Sequence, residues 1–418
     1  MKDISVKWRI ILSLILTKLT DILLSAKTTL PTLLNAVGAP SWMLGLLVPL
    51  RESGSLLPQA LMGAWLKNKS DRQKPWLFSM VLQSLFIAMM FLLPLLLFPY
   101  MWNIESVSCA AISGFIILAS LSGLSLSRAM TSLTMKDIQG EHLRKGMRGN
   151  VVGIASTAAG VLSLVFATFS FFSSTMNEQI LLVIAGGCLF AMCLSILILK
   201  NIETKVDADN DSDENTTSIK DKVRSYIETF SGDLAYFILV RSCFVHTALI
   251  APFFIVWSLN AYPQNTLVSL SSFIIAQGSA TIVSSYIWGK LSDYDARLTM
   301  QLGALIVFII CVLLLIVIHF DFAQSLPPIS FILCYFVLSV GHEGARSGRK
   351  VYALDIKVGA QRTDFIGKAN TSIGIVILLL GVFYSAISFA GNFVLFSLMA
   401  VGLAFGLIIS FKMKKEKS

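Results

Sequence analysis

Apolar stretches of membrane-spanning length dominate the chain, with short polar segments between them. They cover roughly 10–32, 42–65, 76–99, 107–130, 150–172, 179–199, 233–258, 266–288, 299–319, 328–346, 365–388 and 392–411. A helix of about 20 residues crosses a hydrocarbon layer about 30 Å thick. Inside lipid, backbone groups find partners only within a helix or a closed barrel. Barrel strands would show alternating segments of about 10 residues, and the pattern has none. It therefore predicts an all-α integral membrane protein with twelve transmembrane helices.

Composition strengthens this picture. The 418 residues are 55% hydrophobic and 14% charged, whereas soluble domains carry about 25% charged residues. Of 33 Lys and Arg, 26 fall in the amino terminus, alternate connections and carboxyl terminus, Arg349 and Lys350 among them. The opposite connections, such as NAVGAPSW and NAYPQN, hold none. Basic excess marks the cytoplasmic side, so both termini are expected inside, in a multi-pass protein of the cytoplasmic (inner) membrane. This asymmetry accounts for the net charge of +9 and leaves no reason to expect a nucleic-acid partner. The first apolar run is too long for a cleavable signal and lacks a small-residue cleavage site. The six cysteines all lie within predicted spans and read as packing residues.

One polar stretch divides the chain. Residues 201–232 begin acidic and aperiodic, as expected of disorder, and end in SIKDKVRSYIETF, spaced like an amphipathic surface helix. A calcium loop starting at Asp207 would need Gly at its sixth position and Glu at its twelfth; these hold Ser212 and Ser218. The expected organisation is a six-helix bundle over 1–200, a cytoplasmic linker over 201–232 and a second six-helix bundle over 233–418. Two echoes suggest that the bundles are related by a pseudo-two-fold axis. Gly123, Arg128, Asp137 and Ile138 recur with the same spacings as Gly341, Arg346, Asp355 and Ile356, each set beginning in the fourth span of its half. After the second span, GAWLKNKSDRQKPW at 63–76 is echoed by GKLSDYDAR at 289–297.

The second of these loops resembles the signature G-x-x-x-D-x-x-G-R of the major facilitator superfamily, at Gly289, Asp293 and Arg297, with Ala296 replacing the second glycine. In the first half only Asp71 and Arg72 are equivalent, because Asp71 follows Gly63 by eight residues instead of four. SLTMKDIQGEHLRKGMRG also looks like a connection in a poorly characterised group of bacterial permeases. The resemblance extends over essentially the whole chain. It implies two bundles rocking about a central site, with the signature loops latching the cytoplasmic side when the carrier faces outward.

Charged residues within spans supply the candidate chemistry. A central Lys, Arg or Asp costs roughly 2.5–3.5 kcal/mol on insertion scales and usually faces a bundle interior or wet cavity. Lys18, Asp21, Arg51, Glu52, Arg241, His246, His342 and Glu343 form the expected substrate and proton pathway. Lys18 and Asp21 share a helix face and could instead neutralise each other. Arg51 and Glu52 point about 100° apart, so at least one should face the cavity. Lys27 and Lys368 lie near span ends, where long side chains reach the interface. Arg128 and Arg346, with Asp137 and Asp355, read as duplicated gate positions beside the loop residues Asp71, Arg72, Gly289, Asp293 and Arg297.

The expected function is secondary active transport of a small anionic or zwitterionic solute by a monomer embedded in the lipid bilayer. Protons are the expected coupling ion, with sodium as the alternative. Efflux of amphipathic drugs, or a non-transporting receptor or scaffold of this fold, are the competing readings. The chain lacks a G-x-x-x-x-G-K-[ST] phosphate loop, a nucleophile motif and metal-ligand spacing, so neither an enzyme nor a bound cofactor is expected.

Overall fold

The computed structural model describes residues 2–67, 71–97, 107–143, 148–173, 177–200, 202, 232–263, 265–355 and 360–413. Nearly all of the predicted linker lies outside them, as does the side chain of Asp355. The first half contains α1 (Lys2–Leu23), α2 (Thr29–Ala36), α3 (Leu44–Leu56), α4 (Gln59–Lys67), α5 (Gln73–Leu92), α6 (Val107–His142), α7 (Arg148–Phe172) and α8 (Asn177–Leu199). After the linker come α9 (Gly232–Phe244), α10 (His246–Ala261), α11 (Leu270–Tyr294), α12 (Ala296–His319), α13 (Ile329–Asp355), α14 (Ala360–Ile387) and α15 (Asn392–Ser410). Among the described residues, nine helical segments are long and apolar enough to cross a membrane. The other three predicted spans are helical too. Two are interrupted, as α1–α2 and α3–α4, and α13 is too polar overall. The protein is an all-α, multi-pass membrane protein, with large apolar side chains such as Phe169, Phe172, Phe190 and Ile408 exposed around it.

The interruptions have local causes. Between α1 and α2 the sequence Ser25-Ala26-Lys27-Thr28 turns away from the helix, and Pro31 sits in the first turn of α2, where a missing N–H is tolerated. The carbonyls freed by such a break need other donors in an apolar interior. Thr29 Oγ1 donates to Leu23 O at 2.5 Å, and the Arg51 guanidinium donates to Leu24 O and, at 2.9 Å, to Asp21 O. The first span of the second half breaks as well, between α9 and α10. There His246 Nδ1 donates to Cys243 O at 2.6 Å and Thr247 Oγ1 to Phe244 O at 2.8 Å.

Helices pack chiefly within their own half: α1 against α7 and α8, α5 against α6, and α12 against α13 and α15. The duplicated glycines explain two of these contacts. A Cβ on Gly123 would enter the Phe86 ring of α5, and one on Gly341 would fall 2.8 Å from Gly303 O on α12. In each half the fourth span thus leans on the third through glycine. The halves meet along α3 with α14, α7 with α11, and α10 with α2 and α3. In that seam Gly381 lies against Pro49, and Ser53 Oγ donates to Gly374 O at 2.7 Å.

Candidate functional site

α13 shows how the sequence places charges in a membrane interior. Gly341, Gly344, Ala345, Gly348 and Tyr352 share a face and are buried. Trp288 of α11 stacks over Gly344 and donates from Nε1 to Val340 O at 2.9 Å. With the glycine face closed against α11 and α12, the remaining face points between the two halves. It presents His342, Arg346, Arg349 and Lys350 to a cavity of about 250 Å³. Lys27 from the α1–α2 break, Glu52 of α3 and Arg241 of α9 complete its charged wall.

Three of the expected pathway residues, Glu52, Arg241 and His342, therefore line one cavity, and Glu343 is tied to it by an ion pair with Arg346 at 2.5 Å. Lys27 Nζ contacts His342 Nε2 at 2.5 Å, and His342 Nδ1 lies 3.0 Å from Thr247 Oγ1. An ammonium can only donate, so Nε2 accepts and Nδ1–H donates to Thr247. The chain of bonds ends at Phe244 O in the α9–α10 break. Lys27 was expected to reach toward an interface. Instead it links the helix breaks of the two halves, because the α1–α2 turn sets it against α13. Arg349 and Lys350 were expected in a connection. They sit on the cavity because α13 runs on to Asp355.

The other pathway candidates fall elsewhere. Asp21 on α1 pairs with Arg128 on α6, and its carboxylate lies 3.9 Å from Arg51. Arg51 is occupied by the α1–α2 break. Lys18 donates to Val152 O at 3.1 Å and to Ser156 Oγ on α7. This second cluster holds the first half together. His246 is buried against Gly402 and Tyr384 and serves its own helix break, away from the cavity.

The signature loops also make their bonds within their own halves. Arg72 pairs with Asp137 at 2.8 Å, Asp71 caps α5 by accepting from Gln73 N at 2.8 Å, and Gln73 donates to Lys200 O. In the second half Asp295 caps α12, accepting from Leu298 N at 2.8 Å, and Arg297 donates to Met413 O at 2.8 Å. Asp293 is exposed, and a Cβ on Gly289 would meet open space, so close helix approach is not what this glycine provides here. The loop carboxylates were possible partners for Arg128 and Arg346; Arg128 pairs instead with Asp21, and Arg346 pairs with Glu343, three residues before it on the same helix.

No family model matches the sequence, and no curated protein does. Solved structures match over nearly the whole chain. A D-xylose–proton symporter aligns with a TM-score of 0.70 at 13% identity, covering 99% of this chain and 98% of its own. The nucleoside transporter NupG aligns at 0.69 and 12% identity, covering 98% of both chains. A bacterial homologue of the iron transporter ferroportin gives 0.67 in its inward-facing state, at 13% identity and 98% coverage of both chains. Its outward-facing state gives 0.57. Broken first spans, glycine-packed fourth spans and a charged cavity between two sets of helices thus sit in a known architecture: the chain shares its fold with these transporters.

Proposed function

We propose that this protein is a secondary active transporter of the cytoplasmic membrane, with both termini inside, that moves a small anionic solute by alternating access. The bundles 1–200 and 233–418 rock about the cavity between them, and the linker 201–232 joins them on the cytoplasmic side. The observation that carries this reading is the cavity itself, set between the halves and lined by Lys27, Arg241, Arg346, Arg349 and Lys350. Contacts across the seam at α2–α10 and α3–α14, with the loop contacts of the described residues kept within each half at the basic face, support an inward-facing state. The better overlay on the inward-facing ferroportin homologue agrees. A charged cavity of about 250 Å³ is smaller than the 300–1,000 Å³ typical of drug-sized ligands, which favours a small anion over amphipathic drugs.

Coupling to protons is assigned to Glu343. Its carboxylate is held in an ion pair with Arg346 at the edge of the cavity. In vesicles carrying an imposed pH gradient, the wild type should accumulate solute. Glu343→Gln should lose gradient-driven accumulation and retain counterflow exchange. A well-folded Glu343→Gln protein that accumulates solute normally would remove Glu343 from this role. A protein that moves nothing, in either mode, would favour a receptor or scaffold.

A further inference from the structure

The cavity wall is out of electrostatic balance. Five cationic side chains line it, Lys27, Arg241, Arg346, Arg349 and Lys350, and two carboxylates answer them, Glu52 on the wall and Glu343 beside it. The excess is three positive charges. Glu343 is already committed to Arg346, and Lys27 donates to the neutral ring of His342. Arg349 and Lys350 have no carboxylate within ion-pair distance among the described residues.

Arg241 sharpens the case. The residue is 8% exposed, and its one hydrogen bond among the described residues goes from Nη1 to the amide oxygen of Asn370 at 3.0 Å. Its Nε is buried with no hydrogen-bond partner among the described residues. A guanidinium carries five N–H donors in a fixed fork suited to carboxylate and phosphate oxygens. A buried cation with no carboxylate in contact is costly, which makes this one an incomplete site. Val48, Ala248, Ala345 and Ile377 supply a short apolar wall alongside.

We infer that the cavity binds a compact dianion, a short carbon skeleton bearing two carboxylates or one phosphate monoester, with its charge held between Arg241 of α9 and Arg349 of α13. A neutral solute would leave every excess cation unanswered, and a monoanion would leave two. A volume of about 250 Å³ admits small metabolites and excludes large conjugates. This inference rests on reading the cavity as the transport site and adds the charge and size of the cargo.

The test uses purified full-length protein and four probes, succinate, glycerol 3-phosphate, acetate and xylose, with binding followed by calorimetry. At least one dianion should bind saturably, at least tenfold tighter than acetate, and more weakly as salt rises. Succinate alone identifies a dicarboxylate site, glycerol 3-phosphate alone a phosphate site, and both together a site that reads charge only. Arg349→Gln should weaken the dianion at least tenfold and leave acetate nearly unchanged. Glu52→Gln should tighten the dianion several-fold, since it removes a like charge from the wall; a variant that merely damaged the fold could not do this. Absence of dianion binding, equal affinity for acetate, xylose as the preferred probe, or an unchanged Arg349→Gln would each overturn the inference. Vesicle flux separates it from the transport reading. A dianion that binds but is never carried sinks transport alone, whereas proton-driven flux of a neutral solute sinks the dianion alone.

Discussion

Replacing Gly348 by alanine tests the idea that glycine packing on α13 sets the cavity. A Cβ at this position would lie 2.5 Å from Ala296 O and 2.6 Å from Met300 N of α12. Carbon–oxygen contacts settle near 3.3–3.6 Å, so α13 would have to move off α12 by roughly 0.8 Å. The obstructing atoms are backbone and cannot swing aside. Overpacking of this kind costs about 1–3 kcal/mol. Alanine returns about 1 kcal/mol of helix propensity over glycine, which leaves a net loss of about 0–2 kcal/mol. Gly187→Ala is the control, because its Cβ would meet nothing within 4 Å and only the propensity gain remains. Membrane proteins commonly unfold irreversibly, so the fitting assay is the rate of heat inactivation in detergent. Gly348→Ala should inactivate faster than wild type, and Gly187→Ala no faster. Solute affinity should fall only in Gly348→Ala, because Arg349 and His342 move with the helix. Equal behaviour of the two variants, or a more stable Gly348→Ala, would refute the packing argument.

Two further outcomes are expected. Asp137→Asn should destabilise the first half, since Arg72 has a side chain only 7% exposed and loses its carboxylate. Fully buried pairs cost about 3–5 kcal/mol to break from one side; with Asp137 37% exposed, about 1–3 kcal/mol is expected. The double variant Arg72→Met, Asp137→Leu should recover much of that loss in the same inactivation assay, whereas an unaltered Asp137→Asn would show the pair to be energetically idle. Cysteines placed at the exposed positions Asn260 and Lys412 should react with an impermeant reagent from opposite sides of sealed cells or vesicles, Asn260 from outside. Labelling of both from one side would break the proposed topology.

Some of the site could be read directly from the chain. The Gly-Arg-Asp echo located two equivalent helices, and both pack through their glycine onto the third span of their own half. His342 and Glu343 were expected on a pathway and Arg346 at a gate; the structure puts His342 and Arg346 on one cavity wall and Glu343 beside it. Lys27, Arg349 and Lys350 were missed. The signal for Arg349 and Lys350 was present in Gly341, Gly344 and Gly348, whose spacing defines a close-packed face and leaves the charges on another. For Lys27 the signal was weaker: a Ser-Ala-Lys-Thr-Thr stretch before Pro31, in the middle of an apolar run, marks a break and with it a polar turn inside the membrane.

Apolar run length, basic asymmetry and the internal echoes determined the class of protein, the helix segments and the partition into halves expected of it. Each depends on short-range properties of the chain: the length needed to cross lipid, the cost of charge in hydrocarbon and the period of a helix. What each charge does was decided only by tertiary contact. Asp21 and Arg128 are 107 residues apart, and their pairing sets Asp21 apart from the cavity lining. His246 and Arg51 are likewise consumed by the carbonyls of helix breaks. The helical period fixes how side chains lie relative to one another around an axis, but only the neighbouring helices fix which way that axis is turned. Lys27 and Arg349 therefore became cavity residues only once the two halves were packed together.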